Sequence, residues 1–377
     1  MAKKSSEAQR KCKVFYQDLY GKRKIKQDFL WNNSIKTVDW KELKPEKEYS
    51  FFVIKDFSAN GNYLKCFKIN EIFKIYTSGI KTHNDKELVS FTKFKANDQI
   101  YDYKPFDNRN INYDIQKVIR HRVIVMKHFL SIKNYGLILM RKIIPSSIFN
   151  QVLITNNLID GNYFGFQTYV FPLFVIKSEQ KNNSTDNHFL YCDDQKIDNF
   201  TPKFRQFFKS KYKGKYTPKE ILGYIYAVLH SPTYRTKYLE FLKIDFPRIP
   251  FTDNEEMFKQ LSDIGLKLID AHLMKEIPSA INCSLLGGGE NFKVESVNYD
   301  KDKVWFNKER YFAHVPPDVW NFYIGGYQVL DKWLKERKKH GITLSSEDIQ
   351  HFIKVVNILD YTIKTMQKID ILTIDWI

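Results

Sequence analysis

Apolar positions follow two rhythms along this chain. Before about residue 250 they come in short runs rich in β-branched and aromatic side chains: RVIVMKHFL (Arg122–Leu130), YGLILMRKII (Tyr135–Ile144), FNQVLITNNL (Phe149–Leu158) and YVFPLFVI (Tyr169–Ile176). Runs of this length, punctuated by Asn134-Tyr135-Gly136 and Asp160-Gly161-Asn162, predict strands or short buried elements. The polar stretch KSEQKNNSTDNH (Lys177–His188) predicts a surface loop. One helical pair interrupts this region. In YTPKEILGYIYAVLHSP, Thr217 is placed to cap a helix, Pro218 suits its first position and Glu220 completes a capping box. Ile221, Leu222, Ile225, Val228 and Leu229 then form its apolar face, and Ser231-Pro232 ends it. A shorter helix follows, with Tyr234, Tyr238, Phe241 and Leu242 on one side.

After IDFPRIPF (Ile244–Phe251) the period lengthens. Thr252 or Asp253 is expected to cap a helix through Met257, Leu261, Ile264, Leu268 and Ile269. FKVESVNYDKDKVWF (Phe292–Phe306) predicts a hairpin turning at Asp300–Asp302. VPPDVWNFYIGGYQVLDKWLKERKK predicts two helices broken at Gly325-Gly326, and a last helix starts near Ser345. The fold expected is α+β: a mixed, β-rich domain with inserted helices, then a mostly α-helical C-terminal subdomain. The boundaries expected are residues 1–45, 46–250 and 251–377.

Charge narrows the function. Lys and Arg number 60 against 43 Asp and Glu, a formal +17. Such an excess opposes compactness and suits an anionic partner, nucleic acid before a membrane surface. No apolar stretch approaches the ~20 residues of a spanning helix. The start MAKKSSEAQRKCK lacks the apolar core of a signal peptide. Cys12, Cys66, Cys192 and Cys283 lie too far apart for zinc or redox spacing, so a reduced, cytoplasmic setting is expected.

Catalytic patterns are sparse. LLGGGE (Leu285–Glu290) and YIGGYQ lack the frame of a phosphate loop or dinucleotide fingerprint and read as turns. A base-amine methyltransferase needs an amide or carboxylate before its proline-aromatic turn, whereas here Val315 precedes Pro316-Pro317-Asp318. Asp160 with Glu179 and Lys181 is a loose match to a metal nuclease. The histidines are scattered. The chain is therefore expected to bind rather than to catalyse, with no cofactor or metal of its own.

Binding residues are easier to nominate. Arg120, His121, Arg122, Lys127 and His128 fall within nine positions, and Arg141-Lys142 and Thr155-Asn156-Asn157 follow. Arg reads guanine and Asn adenine by paired hydrogen bonds, whereas Lys holds phosphates. Lys81 and Thr82, in GIKTHNDK, and Arg235 join this set. IYDYKPFDNRNINYD (Ile100–Asp114) reads as a rigid aromatic loop. Tyr103 and Phe106 are expected to pack it, Asp102 and Asp107 to hold cations or amides, and Arg109 and Tyr113 to reach outward.

Several long stretches carry a family resemblance. They are DLYGKRKIKQDFL with SIKTVDWKEL, INEIFKIYTSGIKTHNDK, the Tyr101–Asp114 stretch with NYGLILMRK, EILGYIYAVLHSPTYRTKYLEFLKIDFPRIPF, and VWFNKERYFAHVPPDVWNFYIGGYQVLDKWLKERK. Together they make nearly the whole chain similar to the C-terminal region of type ISP restriction–modification enzymes and their type IIG relatives. The resemblance implies a target recognition region that reads duplex DNA. It also implies that residues 1–45 are the edge of an adenine methyltransferase. AdoMet, ATP and Mg would then belong to nuclease, helicase and methyltransferase parts outside this chain. A separate methyltransferase or helicase subunit is the further partner it suggests, and docking to such a subunit is the alternative role.

Overall fold

The computed structural model describes residues 13–45, 52–54, 60–143, 148–177, 196–276 and 281–373. Two units separate, residues 1–58 and 59–377. In the first, Val14–Tyr16 pairs antiparallel with Lys41–Leu43, and Arg23–Asn32 forms a helix. That helix buries no residue. Trp31 is 86% exposed and Ile35 83%.

The second unit mixes small sheets with helices, as an α+β chain should. One four-stranded sheet runs Leu158–Ile159, Gln99–Lys104, Asp107–Ile111, Val89–Ser90, with the first pair parallel and the others antiparallel. A second, antiparallel throughout, runs Thr77–Ser78, Thr168–Pro172, Gly136–Met140, Val152–Thr155. Gly136–Met140 is buried at every position, so its apolar run lacks alternation. The segment after residue 250 is helical, as the longer period predicts, but it also holds an antiparallel sheet of Ser284–Gly287, Arg310–Ala313, Lys303–Trp305 and Asn298–Asp300. Its hairpin turns where expected, with Lys301 and Asp302 at positive φ. One buried apolar cluster takes in Ile80, Tyr101, Val125, Ile138, Phe306, Trp333 and Leu359, so core packing is continuous across residue 250.

The helix Pro218–His230 has the expected box: Thr217 Oγ1 accepts from the Glu220 amide and the Glu220 carboxylate accepts from that of Thr217. It crosses Glu255–His272 so closely that a Cβ on Gly265 would strike the carbonyl of Gly223. Periodicity does not reveal that contact, because glycine carries no hydrophobic signal.

Three local expectations are corrected. Arg122–Leu130 is not a strand: Val123–Leu130 is a helix that buries Val125, Met126 and His128. Its start is set by Arg122 at φ 55°, whose carbonyl accepts from Val125 and Met126. A short β-branched run cannot distinguish the two states, and tertiary packing decides. The cap of Glu255–His272 is Asn254, whose Oδ1 accepts from Met257, while Thr252 Oγ1 accepts from the Asn254 amide. The break at Gly325-Gly326 is a small hairpin between Tyr323–Ile324 and Tyr327–Gln328.

Candidate nucleic-acid interface

The Ile100–Asp114 stretch is a hairpin rather than a loop. Gln99–Lys104 pairs with Asp107–Ile111 through a two-residue turn, with Pro105 leading and Phe106 at φ 57°. Tyr101 and Phe106 are buried, which anchors it. Asp102 accepts from Thr155 Oγ1 at 2.6 Å and Asn157 Nδ2 at 2.9 Å, so it ties the two sheets together. Burial raises its carboxyl to about 6 despite these bonds. Asp107 does hold cations: it accepts from Arg109 at 2.8 Å and from Arg337 at 2.6 Å.

Arg109 does not reach outward. Only 5% exposed, it lies with its guanidinium 3.2 Å from the Phe91 ring centre and 3.6 Å from Glu336. Desolvation pulls its pKa down, and the neighbouring carboxylates oppose that. Arg337 stacks on Trp333 at 3.5 Å. Two cations and two carboxylates thus lock the hairpin to the helix Val329–Lys339. Tyr113 also turns inward, its hydroxyl donating to the carbonyl of His121. The strand pattern of the stretch could not foretell the ion-pair network, because Glu336 and Arg337 lie more than 200 residues away.

Other nominated residues do meet. Lys81 and Arg120 form an antiparallel bridge, their amides donating to each other's carbonyls at 3.2 and 3.0 Å. Tyr113 fastens His121 beside them, and Arg122 begins the next helix. Lys81 is half-buried, Arg120 is exposed, and among the described residues neither makes an ion pair. Thr82 is buried, its hydroxyl donating to Asp85 and accepting from the Asn84 amide at 3.1 Å. Lys81, Thr82, His83, Asp85, Asp160 and Asn162 line an open cleft of about 390 Å³. Two of these lining residues are carboxylates, Asp85 and Asp160, and the neighbouring Gly79 and Gly161 backbones pack so closely on the facing chain that a Cβ would collide.

Asp160 is a framework residue. It accepts from Tyr101 at 2.8 Å and from the Asn162 amide at 2.7 Å, with Lys104 3.5 Å away. Glu179 and Lys181 lie outside the described residues, as do Cys12 and Cys192. Among the described residues no three His, Cys, Asp or Glu side chains are grouped to hold a metal ion. No described helix is long and apolar enough to cross a membrane.

The remaining nominees scatter. Arg141 is exposed and pairs with Asp245 at 2.7 Å, and Lys142 beside it is exposed. Asn156 sits at the opposite end of the same strand pair, since Gly136 faces Thr155. Five strand residues separate the two ends, roughly 17 Å. Lys127 is half-buried in the last turn of Val123–Leu130. Arg235 is turned into the protein: its Nε donates to Leu229 O at 2.7 Å, and burial lowers it to about 10. Asn156 instead lines a larger cleft with Tyr135, Lys133, Lys196, Lys219 and Lys275. Sequence reading overlooked these lysines because each lies in a different segment.

Comparison with known proteins is consistent with this architecture. The model of the Type ISP C-terminal specificity domain matches residues 95–368. No curated protein matches. Among solved structures, the ATP-dependent Type ISP restriction-modification enzyme LlaBIII bound to DNA aligns with TM-score 0.66 at 16% identity, covering 89% of this chain and 25% of that one. A nuclease-deletion mutant of the Type ISP enzyme LlaGI, in complex with a DNA substrate mimic, aligns with TM-score 0.69 at 19% identity, covering 96% and 39%. The DrdV–DNA complex aligns with TM-score 0.74 at 16% identity, covering 95% and 43%. The chain spans less than half the length of each, and at these identities the likeness is one of fold. The family match covers most of the chain, and the chain belongs to the Type ISP C-terminal specificity domain family.

Proposed function

We propose that this chain recognises a specific sequence in duplex DNA, as the specificity part of a type ISP or IIG restriction–modification system. The observation that carries the reading is the specificity-domain match over residues 95–368. The bridged edge of Lys81 and Arg120, with His121 and Arg122 next along the chain, supports it physically: two basic residues distant in sequence are held side by side by backbone hydrogen bonds. Such an edge can fix register on phosphates, and Arg120 can reach a base edge. AdoMet, ATP and Mg belong in this reading to other parts of the system.

The test is selection from a random-site duplex pool, with binding followed at several salt concentrations. An enriched site with affinity falling steeply in salt is the expected result. Salt-sensitive binding with no enriched site would overturn sequence recognition by this chain. Lys81→Ala should weaken all sequences alike, whereas Arg120→Ala should also relax preference at one position.

A second reading is favoured by the exposed apolar residues of the first unit. Ile25, Leu30, Trp31 and Ile35 are each more than half exposed. They suit docking to an adenine methyltransferase subunit. Co-sedimentation with that subunit, lost on Leu30→Glu, is the expected result; co-sedimentation that survives the substitution would remove it.

A further inference from the structure

The corner Ile119–Ile124 stands between two buried anchors. Val118 and Val125 both belong to the large apolar cluster of the second unit. Every residue between them is half-buried or exposed. Ile119 is 68% exposed and Ile124 62%. A single apolar side chain at a surface is ordinary. Among the described residues from 60 onward, however, only four large apolar side chains are more than 60% exposed, and this corner carries two of them.

The corner is held rigid. At its start the Lys117 and Val118 amides donate to Asp114 O at 3.0 and 2.9 Å, and Asp114 Oδ1 accepts from the Gln116 amide at 2.9 Å. Arg120 is bridged to Lys81 through both backbone groups. The Tyr113 hydroxyl donates to His121 O, and His121 Nδ1 accepts from the Val123 amide at 3.2 Å. Arg122 then takes φ 55°, uncommon outside glycine, and its carbonyl accepts from the Val125 and Met126 amides. Such a backbone persists only where its surroundings dictate it. Ile124 follows in the first turn of Val123–Leu130. Isoleucine is branched at Cβ and stiff at χ1, so both side chains have little freedom left to lose on insertion.

Charge decides what the corner can meet. Lys117 and Arg120 are exposed and Lys81 is half-buried, and among the described residues none of the three makes an ion pair. Asp114, the nearest acid in sequence, accepts from its own turn. An apolar pair accompanied by cations suits duplex DNA, where phosphates meet the cations and stacked base faces meet the apolar side chains.

We propose that Ile119 and Ile124 form an apolar wedge that enters the base stack of duplex DNA beside the Lys81–Arg120 edge and kinks the helix there. The proposal rests on the DNA-recognition reading and adds a mechanism to it. Sequence is then read partly through how easily a base step opens, pyrimidine–purine steps being the most readily unstacked.

The experiment uses the full chain and short duplexes that it retains from a random-centre pool, labelled with donor and acceptor dyes at the two ends. The parent is compared with Ile119→Ser combined with Ile124→Ser, and with Ile119→Leu combined with Ile124→Leu, which keeps the apolar bulk. Both positions are exposed, so all three forms should melt alike by circular dichroism. The parent should draw the duplex ends together, as a kink of about 20–90° does, and raise the permanganate reactivity of unstacked thymines. The Leu pair should keep both signals and the Ser pair should lose both. The slope of log affinity against log salt should stay at the parent value throughout, because no phosphate contact is removed. Ile119→Ser alone, outside the helix, should reduce both signals without touching the first helical turn. A straight, stacked duplex under the bound parent, or a kink retained by the Ser pair, would overturn the wedge and leave DNA recognition standing. A parent that binds no duplex overturns both readings.

Discussion

Residues 13–45 and the body from residue 60 onward use similar side chains to opposite ends. Both contain amphipathic helices with Ile, Leu, Phe and Trp. In the body, Trp333 is 2% exposed, against 86% for Trp31 in the first unit. The difference lies in how many elements share each apolar side chain. Trp333 is shared by the helix Val329–Lys339, His351 and Phe352 of the last helix, and the Arg337 guanidinium. Among the described residues of its own unit the helix Arg23–Asn32 is accompanied by a two-stranded ribbon alone, and ten residues are too few to be stable in isolation. An apolar face is therefore a core only where other elements close over it; otherwise it is a surface suited to a partner.

The contrast can be broken first at Asp107. Asp107→Ala leaves Arg109 and Arg337 buried, with Glu336 at 3.6 Å from the first and Asp348 at 3.9 Å from the second as the remaining carboxylates. It should cost about 3–5 kcal/mol, read as a lower denaturant midpoint of the main transition. A loss under about 1 kcal/mol would mean that this network is not what joins the hairpin to the C-terminal helices.

Acid should come next, and it should act on the body alone, since residues 13–45 contain no histidine. Burial lowers His128 to about 4 and His272 to about 3, both below the unfolded value of about 6.5. Their contribution is complete above that value and is lost as pH falls toward the folded ones. At pH 5 each loses about 2 kcal/mol. Asp102 acts in the opposite sense: its raised pKa of about 6 makes its burial cost complete only above that pH, so acid relieves it. Two histidines outweigh one carboxyl, and stability should drop between pH 7 and 5. Thermal unfolding across that range checks the sign, and a flat profile would contradict the buried neutral imidazoles.

Gly265→Ala should cost roughly 1–3 kcal/mol, because its methyl meets the Gly223 backbone and the two helices must part. Hydrogen exchange should then rise in both helices together. The smallest effect is expected at Trp31→Ser, within about 0.5 kcal/mol in the isolated chain. A loss above 1 kcal/mol there would show that this side chain has a covering that its exposure does not reveal.

Much of the fold was legible. The Thr217–Pro218–Glu220 signal placed a helix start because the box is made by residues adjacent in sequence. The Asp300–Asp302 turn likewise needed only local chemistry. The site was less legible. Lys81 and Arg120 were both nominated, yet only strand pairing put them together. Arg109 and Arg235 were nominated as outward cations and proved to be internal ones. A guanidinium looks the same in sequence whether it faces phosphate or Asp107.

The sequence by itself determined what depends on near neighbours or on sums: the mixed class, the longer helical period after residue 250, several caps and turns, and the excess of positive charge. Tertiary structure alone decided that Val123–Leu130 is a helix, which cations are buried, and that four distant lysines share one cleft. The physical reason is range. Caps and turns close within a few residues, whereas burial and charge pairing depend on which segments the folded chain brings together.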